Sequence, residues 1–189
     1  MTKGNPKRKP KKRLPSVNMK LETVKRIIIF SAATLLLGTA QCSFFPILDI
    51  CPRTPDLILG LILAVALCDN ERSAMALAVG AGFFIDAIGA SSLSISPLIY
   101  FVYAVLVGLA TKKMLKSLPS FLLLLLPSLL YRAICTLALS LLTGNATLSS
   151  SLAITLLLEA LTTFLLCIPV YFLVNLATKP LTSHKKFTF

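Results

Sequence analysis

The stretch PDLILGLILAVALCDNERSAMALAVGAGFFIDAIGASSLSISP, residues 55–97, joins two apolar runs through the polar turn Asp69, Asn70, Glu71 and Arg72. Such a pair of runs is expected to fold as a helical hairpin in a membrane. Thr54 is placed to cap the first helix, with Pro55 at its first position and Asp56 in its first turn, where the positive end of the helix dipole favours a carboxylate. The second run carries Asp86 deep inside an uncharged segment. A carboxylate at membrane depth costs roughly 2.5 to 3.5 kcal/mol on insertion scales, so Asp86 is expected to face protein or water, with a partner.

The rest of the chain agrees with a membrane setting. It is 56% hydrophobic, has a mean hydropathy of +0.86 and lacks tryptophan, which is too apolar for a soluble domain. Nineteen Lys and Arg oppose seven Asp and Glu. Ten of the nineteen precede the first apolar run: Lys3, Lys7, Arg8, Lys9, Lys11, Lys12, Arg13, Lys20, Lys25 and Arg26. That asymmetry reads as a cytoplasmic tail under the positive-inside rule, with anionic lipid headgroups as its expected partner and no nucleic acid. Pro6, Pro10 and Pro15 and the absence of hydrophobic periodicity make residues 1–20 a disordered tail. Translation from Met19 would leave a sensible chain.

The first apolar run, Val24 to Phe45, stops at Pro46 and is long enough to cross a hydrocarbon core of about 30 Å. It is too long for a signal peptide, and Gln41 before Cys42 spoils a lipoprotein-type cleavage site. Leu57 to Cys68 spans only roughly 18 Å, so this helix either thins the bilayer or packs inside a bundle. In the run Ser73–Gly89, Ala74, Ala78 and Gly82 recur every fourth position and lead to Asp86, which predicts a close helix contact on that face. Further helices are expected over 97–111, over 118–142 with Pro127 and Arg132, and over 151–177 with Glu159 and Pro169. Arg72, the cluster Lys112, Lys113 and Lys116, and the terminal lysines then share one side with the N-terminal tail. Arg53 alone disagrees, beside Asp49 and Asp56. The expected architecture is an all-α integral membrane protein. It is a bundle of six transmembrane helices over residues 21–179, with cytoplasmic tails at 1–20 and 180–189.

Asp86 and Arg132 each lie about fourteen residues from the inner helix ends, roughly 21 Å at helical rise, and Glu159 lies roughly 12 Å below the outer end of its helix. Arg132 is therefore expected to bridge Asp86 and Glu159, since an unpaired charge there would be costlier than a shared network. No chemistry motif accompanies these charges. The five cysteines show no CxxC spacing and the sole histidine is His184, so no metal site is expected. Cys42 and Cys51 fall near the same outer face, where a pairing is one alternative and free thiols the other. Gly-Ala-Gly at 80–82 lies within a membrane helix, not after a strand, which rules out a dinucleotide loop. No catalytic, cofactor-binding or metal residue is expected, and no cofactor; the chain does not read as an enzyme.

Pro-Asp-Leu at 55–57, the short apolar helix, the polar turn and Gly-Ala-Gly-Phe-Phe-Ile-Asp-Ala-Ile-Gly at 80–89 with Leu93 after it resemble the bacterial rod shape-determining family MreD. The likeness is close over residues 55–93 and loose over the six-helix layout. The family's Pro-Leu-Gly loop is represented here by Ser92, Leu93 and Ser94, and the basic tail is longer than usual for the family. The resemblance implies a non-enzymatic membrane scaffold of the cell-elongation machinery, associated with MreC and through it with the MreB filament, RodA and the elongation transpeptidase. It singles out Pro55, Asp56, Gly82, Asp86 and Gly89, to which the buried-charge argument adds Arg132 and Glu159. The family is also similar in fold to the substrate-binding subunits of energy-coupling-factor vitamin transporters, which makes a small-molecule-binding transporter subunit the alternative. An intramembrane lipid-handling enzyme would have only Asp86 and Glu159 as candidate groups.

Overall fold

In a computed structural model of the chain, the described residues are 17–48, 54–89, 95–112, 114–142 and 150–178. The basic tail to residue 16, the segment 49–53 with Asp49, Cys51 and Arg53, the linker 90–94, Lys113, the loop 143–149 and everything from Lys179 onward lie outside them. Among the described residues all regular secondary structure is helical. The elements are α1 (Val17–Thr39), a π turn (Ala40–Phe44), α2 (Phe45–Leu48), α3 (Leu57–Cys68), α4 (Glu71–Gly89), α5 (Ser96–Thr111), α6 (Leu118–Leu142) and α7 (Ser150–Thr178). Four segments, Val24–Phe44, Glu71–Gly89, Leu118–Leu142 and Ala153–Thr178, are long and apolar enough to cross a membrane. α3 and α5 are apolar but shorter.

α3 is the axis of the bundle. Each of its 12 residues is buried, and it packs against α1, α4, α5, α6 and α7. At 1.5 Å per residue it is about 18 Å long, well short of a hydrocarbon core of about 30 Å. Of the two arrangements open to so short a helix, packing inside the bundle is the one adopted. Around it, the outward faces of α1, α5, α6 and α7 carry exposed apolar side chains such as Leu36, Leu109, Leu130 and Leu165.

Apolar burial gives little drive between helices in lipid, so close packing has to come from small residues. Gly60 of α3 lies under Cys167 of α7, where an added Cβ would collide with Sγ. On α4, Ala74, Ala78, Ala81 and Gly82 are all buried. At Gly82 an added Cβ would collide with the backbone of Pro97, so the α4 and α5 backbones touch there. α5 in turn meets α6 through the Tyr103 and Tyr131 rings, stacked at 5.6 Å. The Tyr103 hydroxyl donates to Ser128 Oγ at 2.8 Å, and the Tyr131 hydroxyl donates to the Ile99 carbonyl at 2.8 Å.

Three boundaries differ from expectation. Helix α1 begins at Val17, within the stretch assigned to the tail. Pro46 does not end the first helical stretch: the π turn shifts the hydrogen-bond register, and the proline then falls near the start of α2, where a missing N–H is tolerated. The cap of α3 is Asp56 and not Thr54, with the helix starting at Leu57. Asp56 has non-helical backbone angles, φ −90° and ψ 84°, and its carboxylate accepts from the Leu59 amide, as an N-cap does.

The glycine geometry gives a direct check on this packing. Gly82→Ala is expected to cost about 2 kcal/mol, since backbone and not a flexible side chain blocks the new methyl. Gly80→Ala, with nothing within 4 Å of the added atom, is expected to be neutral or stabilising by up to about 1 kcal/mol. Unfolding of both variants in detergent micelles measures the difference.

Candidate functional site: a buried charge centre at the start of α3

A helix that starts inside a membrane protein presents amide groups with no intrahelical acceptor, and each would be costly to leave bare in hydrocarbon. At the start of α3 three amides find side-chain acceptors. The Asp56 amide donates to Thr163 Oγ1 of α7 at 3.1 Å. Leu57 N–H donates to Gln41 Oε1 at 3.1 Å, and Leu59 N–H to Asp56 Oδ1 at 3.2 Å. Gln41 lies in the π turn after α1, and it is itself buried.

Capping with a carboxylate brings a negative charge to full burial, and that charge needs partners. Asp56 has 0% of its surface exposed. The Tyr100 hydroxyl of α5 stands 3.0 Å from both carboxylate oxygens and donates to them. Arg132 Nε of α6 lies 3.1 Å from Asp56 Oδ2 and 3.6 Å from Glu159 Oε1 of α7. Five elements, the π turn, α3, α5, α6 and α7, thus meet through polar side chains at one point. The guanidinium is the only formal positive charge that the described ion pairs place there.

The expected bridge joins Asp86 and Glu159 through Arg132. The acid set against Arg132 alongside Glu159 is instead Asp56. The reason is the shortness of α3: in sequence Asp56 stands at the outer face, but a helix of about 18 Å buried on all sides starts at depth. Asp86 is buried on the face of α4 that carries Ala74, Ala78 and Gly82. Pro55 is buried immediately before the cap. Gly89 ends α4 in the open, with nothing within 4 Å of an added Cβ, so no close approach depends on it.

Sequence reasoning missed Gln41, Tyr100 and Thr163. Thr163 had a signal, since it lies one helical turn after Glu159 on the same face. Gln41 had one too, as an amide in an apolar run. Tyr100 had none, because a tyrosine near a helix end is common in membrane proteins.

At the other end of α3 the charges are arranged differently. Lys116 Nζ donates to the Cys68 carbonyl at 2.7 Å, a cation on the negative end of the helix dipole. Arg26 of α1 pairs with Asp69 at 2.5 Å, and Lys112 pairs with Glu71 at 3.0 Å. Cys42, Cys68, Cys135 and Cys167 carry free thiols, while Cys51 lies outside the described residues. Among the described residues no group of three or more His, Cys, Asp and Glu side chains is placed to hold a metal ion. The centre ties helices together through fixed donors and acceptors.

Comparison of the chain with protein-family models, with curated proteins and with solved structures finds no match in any of the three.

Removing one member of a buried ion pair leaves the other uncompensated, so Arg132→Ala is expected to destabilise by about 3 to 5 kcal/mol. Asp56→Asn keeps an acceptor for Leu59 and for Tyr100 and is expected to cost less than Asp56→Ala, which also loses the cap, by about 1 kcal/mol. A double-mutant cycle between positions 56 and 132 is expected to show coupling of about 0.5 to 3 kcal/mol. Additive losses would mean that the two side chains are neighbours without being energetically paired.

Proposed function

We propose that the chain is a non-enzymatic membrane scaffold of the MreD type, with six crossings of the bacterial inner membrane and both termini in the cytoplasm. Its partner is MreC and, through that protein, the MreB filament, RodA and the elongation transpeptidase. The observation that carries this reading is the use made of the buried charges. Asp56, Arg132 and Glu159 are tied to one another and to a helix cap, with both carboxylates buried. A scaffold needs such internal ties, whereas a binding subunit needs its polar groups aimed into a cavity. The residues behind the family resemblance support it as well: Pro55, Asp56, Gly82 and Asp86 are all buried. Counting α3 and α5, the two short apolar helices of the bundle, with the four long ones brings the helices to six.

The alternative, a vitamin-type substrate subunit of a transporter, draws on the similarity in fold between the two families and on the tyrosine and arginine near one end of the bundle. It requires a roomy polar pocket around them, and the contacts there are direct. Copurification of the tagged full chain from bacterial membranes separates the two. Recovery of MreC with cell-wall synthases is the expected result, reduced several-fold by Arg132→Ala but not by Gly89→Ala. Recovery of an ATPase pair with a bound vitamin would reverse the assignment.

A further inference from the structure

Between α1 and α4 runs a groove of about 800 Å³ that the charge centre does not use. Its lower end is polar, with Arg26, Asp69, Asn70 and Arg72. Its upper part is apolar, with Phe30, Leu35, Leu77 and Phe84 among its walls. The groove is hollow because α4 presents Ala76 and Gly80 to it, and nothing lies within 4 Å of where a Gly80 side chain would begin. This face of α4 differs from the one bearing Ala74, Ala78 and Gly82, which is closed against protein. Past Phe84 the two helices meet at Gly38, where an added Cβ would come within 2.8 Å of the Phe84 ring.

Length and charge decide what fits. From Arg72 to Phe84 is about 18 Å along α4, close to the depth of one leaflet in a core of about 30 Å. The two acids at the polar end are neutralised, Asp69 by Arg26 at 2.5 Å and Glu71 by Lys112 at 3.0 Å. Arg72 remains exposed beside the first amides of α4, whose dipole adds to the attraction for an anion.

We propose that this groove is a binding site for one anionic phospholipid, with an acyl chain laid along α4 over Ala76 and Gly80 and its phosphodiester headgroup at Arg72. The site is separate from the charge centre and does not depend on the scaffold reading. It ties occupancy to the lipid composition of the leaflet in which α4 begins.

Native mass spectrometry of the full-length protein, released from mild detergent with added phosphatidylglycerol or phosphatidylcholine, tests the site. One retained phosphatidylglycerol per chain is expected, favoured about fivefold over phosphatidylcholine by the single arginine. Arg72→Gln is expected to erase that preference while leaving chain binding. Gly80→Leu fills the groove and is expected to abolish retention with the thermal unfolding transition unchanged; Ala76→Leu serves the same end should the first variant unfold. Undiminished retention in a folded filled-groove variant, equal retention of the two lipids, or a copurifying polypeptide in place of lipid would each overturn the proposal.

Discussion

A helix too short for its membrane has to end somewhere that will accept its backbone, and α3 is such a helix. Its side chains would be equally at home in lipid, so their apolar character does not explain why it lies at the centre. Its ends do. Unpaired amides and carbonyls in hydrocarbon cost several kcal/mol each, whereas the interior of a bundle can supply acceptors and donors. The helices packed around α3, which are α1, α4, α5, α6 and α7, are the housing that those ends require. The small residues at Gly60 and Gly82 let the neighbours come close enough to provide it.

The cap then determines the charges. Serine or threonine at the start of α3 would have satisfied Leu59 without a charge; aspartate satisfies it with one, and that one has to be compensated. Arg132 compensates it from α6, and Glu159 secures Arg132 from α7. A neutral core of similar volume would often be as stable, so the gain from this network is geometric. It fixes which turn of α6 and which turn of α7 stand opposite the start of α3. Pro127 and Pro169 lie within those same two helices, where backbone regularity gives less control over register, and side-chain ties at Arg132 and Glu159 restore it.

Much of this was legible in the residues and some of it was not. Hydropathy located most of the helices within a few residues, and the insertion cost of charge marked Asp86 and Glu159, which are buried, and Arg132, which is half-buried. Spacing alone placed Ala74, Ala78 and Gly82 on one face. The depth of Asp56 could not be read, because it depends on whether a short run crosses the membrane or is enclosed, and both produce the same twelve apolar residues. The misassigned partner of Arg132 stems from that single ambiguity. Gln41 was hidden for another reason: its direction depends on a π turn, a register shift with no sequence signature of its own.

The two ends of α3 therefore have different mechanical characters. At the N-terminal end the ties are buried and mutually dependent, Asp56 being inaccessible and Glu159 nearly so. At the C-terminal end Lys112 and Glu71 are substantially exposed, and such pairs contribute little, about 0 to 1 kcal/mol. Opening at that end costs one lysine on a carbonyl, the exposed Lys112–Glu71 pair and the Arg26–Asp69 pair, while opening at the other would break a centre that ties five elements at once. The region around α4's first turn is thus the part of the bundle able to yield to a lipid or a partner while the start of α3 keeps the helices in register. The fully buried ties and the more exposed ones thus lie at opposite ends of one buried helix.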